Sequence, residues 1–443
     1  MSNLLIILII GVAVSYGWGM RGALLGGERG AVLPGALLGM FTALLSGNEI
    51  IAENFWIFAA AGASAMAFGG TEPYGQTLGF ILHRGREDYA PCKGYVGTLI
   101  KGSLWQGICG VILGMTYSAV SGNYYSGTDI IIVLALIPFV SALGVRIFNK
   151  PYDKQEGKYP RINFSIDRRE EWGGNVLNLA MLLIFTLIRK DYYAFFFGIT
   201  GIIGGAGFPI GMVLYDFVNH PMKNGKYITG KFRKYVDGWK IMEFSFGAFA
   251  GICFAVYFVL TKDSMLLPRI SGVSEGSPLI SSPLTPYADV LSYIALALVP
   301  IVKAVHLFED RIDDHIIDII ERPVLYVIPM ILALSGCELS AKLTAFALIV
   351  FFAGEKAVFE RCGKQKKSFR ITLGIIYGVC TLAAILLCIF TDIPPVAFIL
   401  IYTVYYIISD AIPFDRFKGS NITVNAFFVI QTAFLILFTL KIT

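Results

Sequence analysis

The sequence predicts an all-α, polytopic membrane protein of about fourteen transmembrane helices. These are built from parallel four-helix repeats, two of them clear and a third degenerate, followed by two trailing helices. Three observations carry the prediction. Apolar runs of about 17–25 residues, the length that crosses a bilayer as a helix, recur along all 443 residues, which are 56% hydrophobic and 15% charged. Basic residues collect in alternate connections between the runs. The stretch 58–80 also has an ungapped second copy 136 residues further on.

The apolar runs place spans near 3–20, 31–47, 55–82, 96–120, 128–148, 175–190, 192–218, 241–260, 289–308, 323–337, 342–358, 371–391, 396–412 and 422–440. Residues 3–16 resemble a signal peptide in length, but no basic region precedes them, and they are read as the first span. The longest stretch that is not strongly apolar, 149–174, is too short to bury a core of its own. Seven cysteines without a CxxC pair indicate neither a disulfide framework nor a zinc site; they are read as packing residues.

When each Lys and Arg is assigned to its nearest connection, alternate connections starting with the first collect 29 of the 36, the other side holds 6, and Lys303 lies inside a span. Basic residues remain cytoplasmic, so both termini are expected outside the cell membrane and the basic loops 146–169, 223–240 and 361–370 inside. Their charge is read as an orientation signal toward the lipid bilayer. No nucleic-acid partner is expected.

The repeat is read from FAAAGASAMAFGGTEPYGQTLGF at 58–80 against AFFFGITGIIGGAGFPIGMVLYD at 194–216. Gly62, Gly69, Pro73, Gly75 and Leu78 align with Gly198, Gly205, Pro209, Gly211 and Leu214. Gly19 and Arg21 match Gly144 and Arg146, and Gly-Ile-Cys at 107–109 recurs at 251–253. An even number of spans per copy gives both copies one orientation, about an axis along the membrane normal. The third copy rests on LALIPFVSAL at 134–143 against LALVPIVKAV at 296–305, and on ERGAVLP at 28–34 against ERPVLYV at 321–327. The expected units are therefore 1–127, 128–288, 289–391 and the trailing pair 392–443.

Glycine costs about 1 kcal/mol and proline about 3 kcal/mol in a helix interior. The pattern GGxxPxG therefore predicts interrupted third and seventh spans, whose freed backbone groups must face a polar cavity. Glu72 sits within the first interruption, near Tyr74, Gln76 and Thr77, while its counterpart in the second copy is the apolar Phe208. Carboxylates also recur at the start of the second span of each copy, at Glu28, Glu171 and Glu321. Helix capping accounts for such residues, but the glycine-rich surroundings of Glu28, with Arg21 and Arg29, also suit a ligand. Charges in or at the rim of spans include Asp216, Glu243, Lys101, Lys303 and Glu355. Lys101, Asp216, Glu243 and Glu355 lie close enough to a span end to snorkel. Trp18, Trp105 and Trp172 adjoin repeat motifs and are candidates for stacking on a sugar or ring, and His83 is read as a solvated loop residue.

Parallel repeats with interrupted helices in corresponding positions are the sequence pattern of secondary transporters. The expectation is a transporter for a small polar or anionic solute, bound between the third and seventh spans. The candidate contacts are Glu72, Tyr74 and Gln76. Arg21, Glu28 and Arg29 form one cytoplasmic gate, and Glu171, Trp172 and Asn175 form its equivalent. Glu72 or Asp216 is the candidate carrier of a coupling proton or cation. A membrane enzyme acting on a lipid-linked or amphipathic substrate is the alternative, with Glu28, Glu72 and Glu171 supplying acid and base; a non-catalytic scaffold is a third. No catalytic signature, metal motif or cofactor motif is found.

The charge pattern yields a topological test. A cysteine introduced by Gln155→Cys should escape an impermeant maleimide in intact cells and react once the membrane is permeabilised; equal labelling in both would overturn the orientation.

Overall fold

The computed structural model describes residues 1–20, 31–70, 75–83, 87–120, 124–153, 155–165, 170–219, 237–266 and 420–442, with scattered residues between 280 and 331 and at 399. The expected third copy and the first trailing span lie outside the described residues apart from those scattered positions. Among the described residues the chain is helical, with no β-strand beyond a single bridge between Asp153 and Lys158. Five helical stretches among the described residues are long and apolar enough to cross a membrane: Asn3–Met20, Pro91–Val120, Gly127–Phe148, Tyr192–Val218 and Gly238–Ser264. This is an all-helical membrane protein.

Helix α1 (Asn3–Met20) is apolar around its whole circumference and buried from Ile9 onward except at Val12, as expected of a helix surrounded by other helices. Helices α2 (Val32–Leu44) and α4 (Phe55–Gly69) are more deeply enclosed, with every residue of α4 buried. Between them a short α3 (Glu49–Glu53) was not expected from the sequence. Its cause is Asn48, whose side chain accepts from the Ile51 N–H at 3.1 Å and so nucleates a turn. Helices α5 (Gly75–Leu82) and α6 (Pro91–Val120) complete the first half.

The expected fifth span is divided into α7 (Gly127–Ala135) and α8 (Ile137–Phe148). Pro138 supplies no N–H to the preceding turn, and the sequence reading took the segment as continuous. The start of α7 is fixed by a reciprocal cap between Ser126 and Asp129. Helices α9 (Trp172–Ile188), α10 (Tyr192–Gly204), α11 (Gly207–Asn219), α12 (Gly238–Thr261) and α13 (Ser420–Ile442) follow. Asp191 caps α10 through the Ala194 N–H at 3.1 Å, and Asp237 caps α12 through the Trp239 N–H at 2.9 Å.

Packing is organised around α1, α2, α4, α6, α10 and α12. Helix α1 lies against α12 and α2, α2 against α4, and α6 against α10, α4 and α9, while α11 packs on α12. Helix α13 returns to α1, where Gln431 Nε2 donates to Ser15 Oγ at 3.1 Å. The outward faces of α8, α10 and α11 leave Phe139, Leu143, Ile203, Val213 and Phe217 exposed, which is the composition that lipid accepts. The helix ends are tied at two levels. Lys240 Nζ donates to the Gly19 carbonyl at 2.7 Å and Asn149 Oδ1 accepts from the Gly173 N–H at 2.9 Å. Near the other end of α9, Tyr125 donates to Asp191 at 2.6 Å and Arg189 pairs with Asp129 at the start of α7. Burial, together with the Asp191 carboxylate, pushes the Tyr125 phenol above its usual range, which keeps it a donor.

Close approach between α2 and α4 depends on missing side chains. A Cβ on Gly35 would run into the Gly62 carbonyl, one on Gly62 into the Gly35 carbonyl, and one on Gly39 into the Phe58 carbonyl. Without a hydrophobic effect between helices in lipid, such backbone contact is the main source of association. The Gly39→Leu variant should lose at least about 1–3 kcal/mol of stability, the scale of an overpacked core, visible as a lower melting temperature in detergent. An unchanged melting curve would contradict this packing.

Candidate functional site

Helix α4 stops where the sequence stops supporting it. The Gly70 N–H returns to the Met66 and Ala67 carbonyls at 3.0 and 3.1 Å, and helix resumes at Gly75. In the second half α10 ends at Gly204. The Gly205 N–H bonds to the Gly201 carbonyl at 2.9 Å, the Phe208 N–H to the Gly205 carbonyl at 3.0 Å, and α11 starts at Gly207.

A carbonyl at the end of a helix needs a donor, and for Gly69 the donor comes from a helix more than a hundred residues further along the chain. Asn175 Nδ2, in the first turn of α9, lies 3.2 Å from the Gly69 oxygen. Beside this contact is a buried charge cluster. Lys101 on α6 is fully buried; its Nζ donates to Thr77 Oγ1 on α5 at 2.8 Å and lies 3.4 Å from Glu170 Oε1. Glu170, immediately before α9, accepts further bonds from the Phe164 N–H at 2.8 and 2.9 Å, from Ser165 Oγ at 3.0 Å and from Trp172 Nε1 at 3.3 Å. A charge pair removed from water is tolerable only when its remaining valences are satisfied in this way. The cluster thus ties the segment after the first interruption to α6 and to the start of α9.

The other large constellation is aromatic. Trp18 on α1 stacks on Trp105 of α6 at 5.2 Å between ring centroids, Trp105 on Phe208 of α11 at 5.7 Å, and Phe208 on Phe246 of α12 at 5.1 Å. Phe208, aligned in sequence with Glu72, therefore belongs to a ring stack joining four helices.

Of the expected site residues, Arg21, Glu28, Arg29, Glu72 and Tyr74 lie outside the described residues, as does the side chain of Gln76. Asn175, Glu171 and Trp172 are brought together at the start of α9, and Asp216 is half-buried on α11. Glu171 occupies the N-cap position of α9 without a side-chain cap bond; the capping role falls to Asn149, which takes the Gly173 N–H. Trp172 is packed between Phe148 and Phe164, at 5.6 and 5.7 Å, so neighbouring rings occupy the faces expected to stack on a ligand. The same holds for Trp18 and Trp105 in the stack above. Lys101 does not snorkel: with no side-chain exposure, it is held by Thr77 and Glu170. Glu243 is buried and paired with Lys240 at 2.8 Å. His83 is not simply solvated, since its Nδ1 lies 2.8 Å from Asp88 Oδ2.

Glu170 was missed because the repeat alignment set Glu28 opposite Glu171, and nothing in the Glu-Glu pair distinguishes its members. The available signal was Lys101, a cation in an apolar span that demands a buried anion. Among the described residues, no group of three or more His, Cys, Asp or Glu is arranged to hold a metal ion. No protein-family model, curated protein or solved structure matches this chain.

The buried pair makes a double-mutant prediction. Lys101→Met or Glu170→Gln alone should each cost about 3–5 kcal/mol, because one partner is stranded without the other. The combined variant should recover a substantial part of that loss. Additive losses, measured by thermal unfolding in detergent, would show that the two side chains do not interact.

Proposed function

We propose that this chain is a secondary transporter for a small polar or anionic solute, moved through the interior of a bundle of about fourteen spans built from parallel four-helix repeats. The supporting observation is the pair of glycine-bounded ends at Gly69–Gly75 and Gly204–Gly207 in sequence-related segments. In a membrane interior, irregular backbone is tolerated where protein buries it or where it lines a water-filled path. The repeat reading is supported by recurring neighbours: α1 packs on α2 as α8 packs on α9, and α6 packs on α4 and α5 as α12 packs on α10 and α11. Transport is favoured over catalysis because the Asn175–Gly69 bond joins the two halves at the first interruption, which is where alternating access would require them to move relative to one another.

In this reading Glu72, within the first interruption, carries the coupling proton or cation, with Asp216 as a second carboxylate on the path. Tyr74 and Gln76 contact the solute. Arg21, Glu28 and Arg29 form one end of the path, and Glu171, Trp172 and Asn175 form the equivalent end of the second repeat. Phe208 in place of a second Glu72 makes one titratable site per chain instead of two.

The purified protein in liposomes under an inward proton gradient should accumulate at least one of labelled acetate, succinate, phosphate, glycine or glucose, and collapse of the gradient should abolish uptake. Glu72→Gln keeps the shape and removes the titration, so it should reduce gradient-driven uptake to background while leaving the melting temperature near that of the parent. Uptake by the variant equal to that of the parent would refute the assignment of Glu72. No uptake of any of the five solutes would count against the transport reading itself.

A further inference from the structure

The middle of α6 carries a primary amide with nothing to bond. Gln106 is fully buried, and neither its Oε1 nor its Nε2 has a hydrogen-bond partner. Leaving an amide unsatisfied in an apolar interior is costly, and buried polar groups in native proteins are nearly always satisfied. A glutamine that contributed only packing would be better replaced by leucine or methionine. Its position in a membrane span sharpens the point, because polar residues there mark substrate and ion paths.

The surroundings say what the amide is placed to meet. Gly102 and Gly110 lie one turn to either side of Gln106, on the same face of α6. A Cβ on Gly102 would strike the Gly205 carbonyl and approach Phe208, and one on Gly110 would strike the Phe197 carbonyl and approach Phe254. That face of α6 is therefore pressed against α10, the start of α11 and the inner side of α12. Gly102 lies at the level of Gly205, and Gln106 stands one turn further along α6, where its own carbonyl faces Gly201 of α10. The preceding residue, Trp105, belongs to the ring stack with Trp18 and Phe208.

We infer that Gln106 is a hydrogen-bonding contact for the transported solute, one helical turn from the Gly204–Gly207 break, and that the described conformation is the closed form of this contact. The inference rests on the transport reading and narrows it. A primary amide offers two donors and an acceptor side by side, so the matching solute is small and presents an acceptor and a donor together, as a carboxylic acid or an amide does. With the amide sealed and unsatisfied, closure is disfavoured locally. A state in which α6 separates from α10 and α12 to admit water or solute regains the missing bonds. The site on this account lies between α6 and the face formed by α10 and α12, beside Gln106.

The test uses the full chain with its native cysteines as internal references. In Gln106→Cys protein in liposomes, reaction with the small water-soluble reagent methanethiosulfonate ethylammonium is followed residue by residue by mass spectrometry. Cys92 is exposed, and Cys109, three residues beyond 106 on the same helix, is buried. The thiol at 106 should react at least about tenfold faster than Cys109, because only a thiol that meets water ionises and reacts. In parallel, Gln106→Leu should melt at a higher temperature than the parent, since it removes the unsatisfied amide, and should lose uptake of whichever of the five solutes the parent accumulates. Reaction at 106 no faster than at Cys109 would overturn the inference whether or not transport is found. Faster reaction with unchanged uptake in Gln106→Leu would overturn it as a solute contact. Absence of uptake in the parent would fault the transport reading instead, and the labelling ratio would still decide whether position 106 opens.

Discussion

The structure depends on a constraint that aqueous proteins meet more easily: a backbone group released from a helix inside an apolar bundle has no water to turn to, so the chain must supply its partner. At Gly69 that partner is Asn175, which comes from more than a hundred residues away in sequence, at the start of α9. The neighbouring Lys101 obeys the same rule in its charged form. Its burial is tolerated because Thr77 and Glu170 accept from it, and that of Glu170 because three other donors, the Phe164 N–H, Ser165 Oγ and Trp172 Nε1, complete its valences. The first interruption is thus held by residues of α6 and of the start of α9.

Glycine makes these meetings geometrically feasible. At Gly35 against Gly62, Gly102 against Gly205 and Gly144 against Gly173, the space a methyl group would need is taken by a neighbouring carbonyl. Association in lipid relies on such close backbone contact. Gly69 at the end of α4 and Gly205 between α10 and α11 likewise come against α6, where a Cβ would meet Trp105 and Ser103. The abundance of glycine serves packing and interruption together, and a sequence count alone does not separate the two uses.

Much of the helical layout was legible in the sequence, because a span is defined by length and apolarity and these are read directly. The first, sixth and eighth spans agree with α1, α9 and α12 to within a few residues at each end. The division at Leu136 was passed over although Pro138 announced it, since a proline near a helix start is also compatible with a continuous run. The short α3 was missed because it is too brief for periodicity and rests on one Asn48 cap. Asn175, Glu171 and Trp172 were singled out from the repeat as an expected gate, but the partners the structure gives them were not. Pairings such as Lys101 with Glu170 or Asn175 with Gly69 join residues 69 and 106 positions apart, and spacing on one helix carries no signal of them. Lys101 was read as snorkelling because its distance from a span end permits it; neighbouring helices, not depth, decided otherwise. Gln106 drew no attention because a neutral amide leaves no mark in a charge census.

The central claim is that both interruptions are places where backbone inside the membrane is reached by water along a common path. Hydrogen–deuterium exchange of the protein in liposomes measures this directly. The account predicts fast exchange confined to two windows, residues 69–76 and 204–208, each flanked by strongly protected amides of α4 and α5 or of α10 and α11. Uniform protection running unbroken through both windows would mean that these backbone groups are sealed within the protein, and would contradict the account.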